Sequence, residues 1–158
     1  MLVLGIESSC DDTSAAVLQN GSKVLSNVIF NQNTTHSKYG GVVPELAGRC
    51  HIESIDRVIT EALKKSKTTL RQIDLISVTV GPGLVSSLLV GINTAKGLAY
   101  ALQKPLIGIN HLEGHLLAIF LHEKVKFPFV ALTVSGGHTD LYRVDGCGIY
   151  KILGRTRD

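Results

Sequence analysis

The apolar positions of this chain change period as the sequence proceeds, and each change marks an element. "LVLGIES" is a short apolar run, which predicts a buried strand. "SCDDTS" follows, built of turn formers and side-chain oxygens. "AAVLQNG" predicts a second strand closing on Asn20-Gly21, a hairpin signal, and "SKVLSNVIFNQ" predicts a third. The chain is thus expected to open as a three-stranded meander whose first turn is rich in carboxylates and hydroxyls.

A polar, then glycine-rich stretch, "NQNTTHSKYGGVVPE", reads as a loop. After Pro44 the period becomes helical. Leu46, Ala47, Ile52, Ile55, Val58, Ile59, Ala62 and Leu63 share one stripe, with Lys64 and Lys65 in the last turn. This predicts an amphipathic helix of roughly twenty residues. "IDLISVTV" is a buried strand, "GPG" a sharp turn, and Leu84 to Leu102 a long helix with small residues at Ser86, Ser87, Gly91, Ala95 and Ala99. "PLIGIN" then completes a parallel β-α-β unit, and His111 to Leu121 forms a short helix.

From here the opening pattern returns. "FPFVALTV", "SGGHT", "DLYRVDG" and "IYKIL" repeat strand, small-residue turn, strand, hairpin turn, strand. Two copies of one unit signal a duplicated domain. The expected class is α/β, with a first domain over residues 1–125 and the start of a second, truncated one over 126–158.

Composition narrows the function classes. The chain has 158 residues, 44% hydrophobic and 18% charged, as in globular proteins rather than disordered ones. A formal charge of +3 permits a nucleic-acid partner without arguing for one, because the lysines and arginines are dispersed. Cysteines at 10, 50 and 147 match neither a CxxC nor a zinc-ribbon spacing, which favours a reduced, cytoplasmic setting. The N-terminus lacks the positive region of a signal peptide. Leu84 to Leu102 carries Asn93, Thr94 and Lys96, each costly in a bilayer, so it reads as a buried helix of a soluble protein.

"HLEGH" holds the sharpest chemistry. Residues four apart on a helix lie only about 40° apart around its axis, so His111 and His115 can meet one ion. They follow the end of a parallel strand, where ligands bind in open α/β sheets. A zinc protease would need a glutamate directly after the first histidine, and Leu112 stands there instead. Glu113 points away from the ion. A third ligand must come from elsewhere: His138 and Asp140 are candidates within the chain, and a residue further along is another. The turn "SGGHT" lets backbone N–H groups approach an anion. Asp11 and Asp12 would repel a bare phosphate. They suit a cation or an attacking group, or they cap the turn. Cys10 reads as a small buried residue, and His36, His51 and His122 read as surface or helix residues.

"LGIESSCDDTSAAV", "KYGGVVPELAGRCH", "VTVGPGLVSSLLVG", "HLEGH" and "FPFVALTVSGGHTDL" together resemble the bacterial tRNA threonylcarbamoyltransferase family, once labelled an O-sialoglycoprotein endopeptidase. The resemblance runs through nearly the whole chain. It implies an actin-like, Hsp70-like ATPase fold of two ribonuclease-H-like units, the first nearly complete and the second truncated. It implies transfer of a threonylcarbamoyl group from threonylcarbamoyl-AMP to the N6 amine of the tRNA adenosine 3′ of the anticodon. His111 and His115 would hold one divalent ion, iron or zinc. Val134, Ser135, Gly136, Gly137 and His138 would bind the substrate, and Asp11 would be the catalytic carboxylate. The implied partners are tRNA, a shorter paralogue of the same fold and a P-loop ATPase, in the cytoplasm.

The chain is about half the family's usual length, and the family's third metal ligand, an aspartate, lies further along. Arg155 stands where the family carries an acidic residue. The chain by itself is therefore expected to bind metal weakly and to transfer nothing. A non-catalytic assembly partner of the same fold is the main alternative, and a metalloprotease the weaker one. The metal histidines argue for the catalytic subunit.

Overall fold

A computed structural model describes residues 1–135 and 138–157. The chain forms two compact units, Met1–His111 and Leu112–Asp158. In the first, strands β1 (Leu2–Glu7), β2 (Asp12–Gln19) and β3 (Lys23–Asn31) make the expected antiparallel meander. The β2–β3 turn places Asn20 and Gly21 at φ 54° and 81°, the hand that matches the strand twist. The polar loop that follows contains a short helix α1 (Asn33–His36) and a 3-10 turn at Ser37–Tyr39.

Helix α2 runs Pro44–Ser66, with proline at its start, Glu45 in the first turn and Lys64 and Lys65 in the last. Strand β4 (Leu75–Gly81), helix α3 (Val85–Leu102) and strand β5 (Leu106–Asn110) form the β-α-β unit. β4 and β5 add in parallel beside β1, giving a five-stranded sheet in the order β3-β2-β1-β4-β5.

One apolar cluster joins the sheet to both helices. Leu4, Ile6, Ala15, Val17, Ile76 and Val78 meet Ile55, Val58 and Ile59 of α2 and Ala95 and Ala99 of α3. Helix α3 is long and apolar enough to cross a membrane by length and composition alone. Its small residues explain its place here instead. A Cβ on Gly91 would lie 2.4 Å from Ser8 Oγ, and one on Gly83, just before the helix, 2.5 Å from the Ser9 carbonyl oxygen. Larger residues would lift the helix start off the turn that follows β1.

Helix α4 (His111–Leu117) begins at the last residue of the first unit and continues into the second, followed by a 3-10 turn at Ala118–Leu121. Strands β6 (Phe129–Val134), β7 (His138–Gly146) and β8 (Ile149–Arg157) form an antiparallel sheet in the order β6-β7-β8. The second meander is thus present, and its last strand continues through "GRTR" rather than ending at Leu153. Leu116, Tyr142 and Val144 make its small core, with Phe129 and Ala131 packed against it. Phe120, Phe127 and Phe129 cluster with ring centroids 5.4–6.0 Å apart, Phe127 stacked on Phe129 and Phe120 edge-on to Phe129.

Candidate active site at the carboxyl ends of three strands

β1, β4 and β5 lie side by side and run in the same direction, so their carboxyl ends share one edge of the sheet. Glu7 ends β1, Thr79 sits near the end of β4, and His111 follows β5 directly. The Glu7 carboxylate accepts hydrogen bonds from the Thr79 hydroxyl and the Ser9 backbone N–H. His111 Nδ1 lies 3.4 Å from Glu7 Oε2 and 3.1 Å from Ser9 Oγ. Burial would push the Glu7 carboxyl up, but the bonds from His111, Ser9 and Thr79 outweigh it and hold it down at about 2. The same contact raises the His111 imidazole, against the lowering effect of its burial. Glu7 is therefore ionised, and it is the residue that motif reading missed. In the sequence it only ends an apolar run; its role depends on a histidine 104 positions away.

The turn after β1 is held from two sides. Ser8 Oγ donates to the Ser87 carbonyl at 2.8 Å and accepts from the Gly91 N–H at 3.2 Å. The Cys10 carbonyl accepts from His51 Nε2 at 3.0 Å and from Ser87 Oγ at 3.2 Å. A carbonyl can only accept, so His51 carries its hydrogen on Nε2. Nδ1 then accepts from Thr13 Oγ1 at 2.7 Å, and Thr13 lies 2.8 Å from Ser54 Oγ. His51 lies on α2 and is fully buried, so the helix half of its reading as a surface or helix residue holds and the surface half does not. His36 is buried too: its Nε2 meets Gln32 Oε1 at 3.0 Å and its Nδ1 accepts from the Val43 N–H at 3.3 Å. Both histidines satisfy backbone and side-chain groups of the loops they sit under. His122 is exposed, as expected.

Asp11 lies in that braced turn, half-buried, with its carbonyl accepting from the Gln32 N–H at 3.2 Å. Asp12 Oδ1 accepts from Asn31 Nδ2 at 2.6 Å, a cross-strand pair between β2 and β3 rather than a cap of the turn. Cys10 is exposed rather than buried, because the turn directs it outward. Its thiol is pushed up to about 11 by desolvation and by the neighbouring Asp11 carboxylate, so it is a poor nucleophile.

α4 carries both histidines of "HLEGH" one turn apart. The donor chemistry of this helix fits an ion. His111 has the arrangement of a ligating imidazole whose second ring nitrogen is held by a carboxylate. Among the described residues no group of three or more His, Cys, Asp or Glu side chains gathers in ligating geometry. Asp140, a candidate third ligand, is committed elsewhere. It is buried, and Arg155 Nε and Nη2 fork onto its two oxygens at 2.7 and 2.9 Å while Tyr142 donates at 2.9 Å. Arg155, odd in the sequence, thereby neutralises a buried carboxylate. In the same unit Val134 ends β6 opposite Thr139, and Ser135 follows it. Gly136, Gly137 and the side chain of His138 lie outside the described residues.

The fold is a mixed α/β one of the actin-like, Hsp70-like ATPase type. The chain superposes on YeaZ from Pseudomonas aeruginosa with a TM-score of 0.62 at 19% identity, covering 99% of this chain and 66% of that one. It superposes on the Acidaminococcus fermentans (R)-2-hydroxyglutaryl-CoA dehydratase component A with a TM-score of 0.58 at 14% identity, covering 100% and 47%. The sequence specifies the family: residues 23–158 match TsaD, tRNA N6-adenosine threonylcarbamoyltransferase, and the chain belongs to that family. It is 57% identical over 158 residues to the tRNA N6-adenosine threonylcarbamoyltransferase of Geobacter sp. (strain M21), covering all of this chain and 46% of that protein. The chain thus spans about half the length of the curated relatives it matches.

Proposed function

We propose that this chain supplies one wall of a threonylcarbamoyl-transfer site acting on tRNA. The observation that carries the reading is family membership combined with the carboxylate-backed His111 at the strand ends. His111 and His115 would hold one divalent ion, iron or zinc. When bound, that ion supplies Lewis-acid polarisation of the substrate's oxygens. Val134, Ser135, Gly136, Gly137 and His138 would bind threonylcarbamoyl-AMP, the glycines bringing backbone amides close to its phosphate or carbonyl oxygens.

The N6 amine of the adenosine 3′ of the anticodon attacks the carbamoyl carbon. The bond to the phosphate oxygen breaks and AMP leaves. The amine loses one proton in this exchange, and Asp11 would accept it; the bonds that brace the neighbouring Cys10 carbonyl support that reading. The partners are tRNA, a shorter paralogue of the same fold and a P-loop ATPase, in the cytoplasm. The Glu7 carboxylate beside His111 supports this catalytic reading over that of a non-catalytic assembly partner.

The test is a chimera in which this chain replaces the matching segment of the Geobacter relative. Given threonylcarbamoyl-AMP and the partner proteins, it is expected to modify tRNA, and His111→Ala is expected to abolish transfer. An inactive chimera beside an active parent, or an active His111→Ala chimera, would refute the reading. The chain alone is expected to bind zinc weakly and to modify nothing.

A further inference from the structure

We propose that Glu7 is a positioning residue for the metal centre: it holds the hydrogen of His111 on Nδ1, so that the ring ligates through Nε2. This rests on the reading that His111 and His115 hold an ion. Histidine ligands come in two forms, and the group on the other nitrogen decides which. Here that group is a pair, Glu7 Oε2 at 3.4 Å and Ser9 Oγ at 3.1 Å. A serine hydroxyl can donate or accept, so by itself it tolerates either tautomer. An ionised carboxylate only accepts, so Glu7 removes the choice.

Glu7 is itself held in place. Its two oxygens accept from the Ser9 N–H and from the Thr79 hydroxyl. Thr79 belongs to β4, the strand directly beside β1, and both strands pack their Ile6 and Val78 side chains into the core. The orientation of the imidazole is therefore set by the sheet and not by a mobile surface contact. A metal site on this helix inherits one ring already turned, which lowers the ordering cost of binding.

The first measurement needs no metal. Long-range proton–nitrogen correlation on the nitrogen-15-labelled chain reads the tautomer of each neutral histidine, and His111→Gln assigns the signal. In its neutral form, His111 is expected to show a protonated Nδ1 and a bare-type Nε2. The reverse pattern overturns the proposal, with no variant needed. Glu7→Gln, whose amide both donates and accepts, is expected to give a mixed tautomer. It should also weaken zinc binding, measured by competition with a chromophoric chelator, by about 10–100-fold. Unchanged tautomer and affinity in a folded Glu7→Gln chain would equally overturn it. Thr79→Val leaves the carboxylate in place but loosens it, and should give an intermediate loss. His115→Ala separates the two readings: if it leaves zinc affinity unchanged, the metal reading fails, whereas the His111 tautomer reports on Glu7 regardless.

Discussion

Replacing His51 tests whether a buried histidine, and not apolar packing alone, holds the turn that carries Asp11. His51→Ala removes the bonds to the Cys10 carbonyl and the Thr13 hydroxyl. Each is worth about 1 kcal/mol net. Neither partner is stranded, because Cys10 keeps Ser87 and Thr13 keeps Ser54, so the larger penalty for an orphaned group does not arise. The emptied volume adds roughly 1–3 kcal/mol, at the low end of large-to-small core changes because imidazole is less apolar than leucine. The sum is about 3–5 kcal/mol, a large share of the 5–15 kcal/mol available to a typical domain. His51→Phe keeps a planar ring in the site and should lose about 2 kcal/mol from the two bonds, plus any strain of seating the larger ring.

A double-mutant cycle with Thr13→Val should return a coupling of about 1 kcal/mol. The chain has no tryptophan, so urea unfolding is best followed by far-ultraviolet circular dichroism, which reports α2 and α3 of the first unit. A loss under 1 kcal/mol in His51→Ala, or a His51→Phe chain as stable as wild type, would refute the reasoning.

The pH dependence has a definite sign. Burial lowers His51 below its ordinary 6.5, against the raising effects of the Cys10 carbonyl and of Glu7, Asp11 and Asp12. The unfolded chain therefore binds the extra proton first. This contribution to stability is complete above about pH 6.5 and is lost as pH falls below it. His111 and Glu7 titrate in both proteins, so the difference between wild type and His51→Phe isolates the effect. That difference should shrink as the solution is acidified.

The remaining predictions concern close packing and the second unit. Gly91→Ala should destabilise the chain by about 1–3 kcal/mol, because its Cβ meets Ser8 Oγ and breaks the Gly91–Ser8 bond. Gly97→Ala, on the same helix with nothing within 4 Å, should instead stabilise it by up to about 1 kcal/mol; equal effects in thermal denaturation would contradict the packing. Arg155→Leu should lower the melting temperature of the second unit by stripping the buried Asp140 of its ion pair, and adding Asp140→Asn should recover part of the loss. If the double variant melts below the single one, the pair is not what stabilises β7 against β8.

How much of this was legible in the sequence differs by type of feature. Both meanders, helices α2 and α3 and the parallel unit follow from periodicity, because one buried face imposes a period of two or of 3.6 on neighbouring residues. The pairing of His111 and His115 was legible because both lie on one short helix, so local geometry suffices. His36 and His51 lie on helices as read, but the burial of His51 was not legible, because a polar residue is buried only when its partners are and those of His51 lie 38 and 41 positions away. Asp140 invited a ligand reading until Arg155, across the β7–β8 hairpin, was seen to occupy it.

Whatever depends on residues close in the chain was determined by the sequence alone: element types, the duplicated pattern, the family, and the spacing of "HLEGH". Only the tertiary structure decided the protonation and orientation of these groups. The Glu7 carboxylate meets His111 because adjacent parallel strands end at one edge and bring Thr79 and His111 to it. The physical reason is range. Periodic burial acts over a few residues, whereas hydrogen-bond partners and local dielectric are set by segments that meet only after the chain has folded.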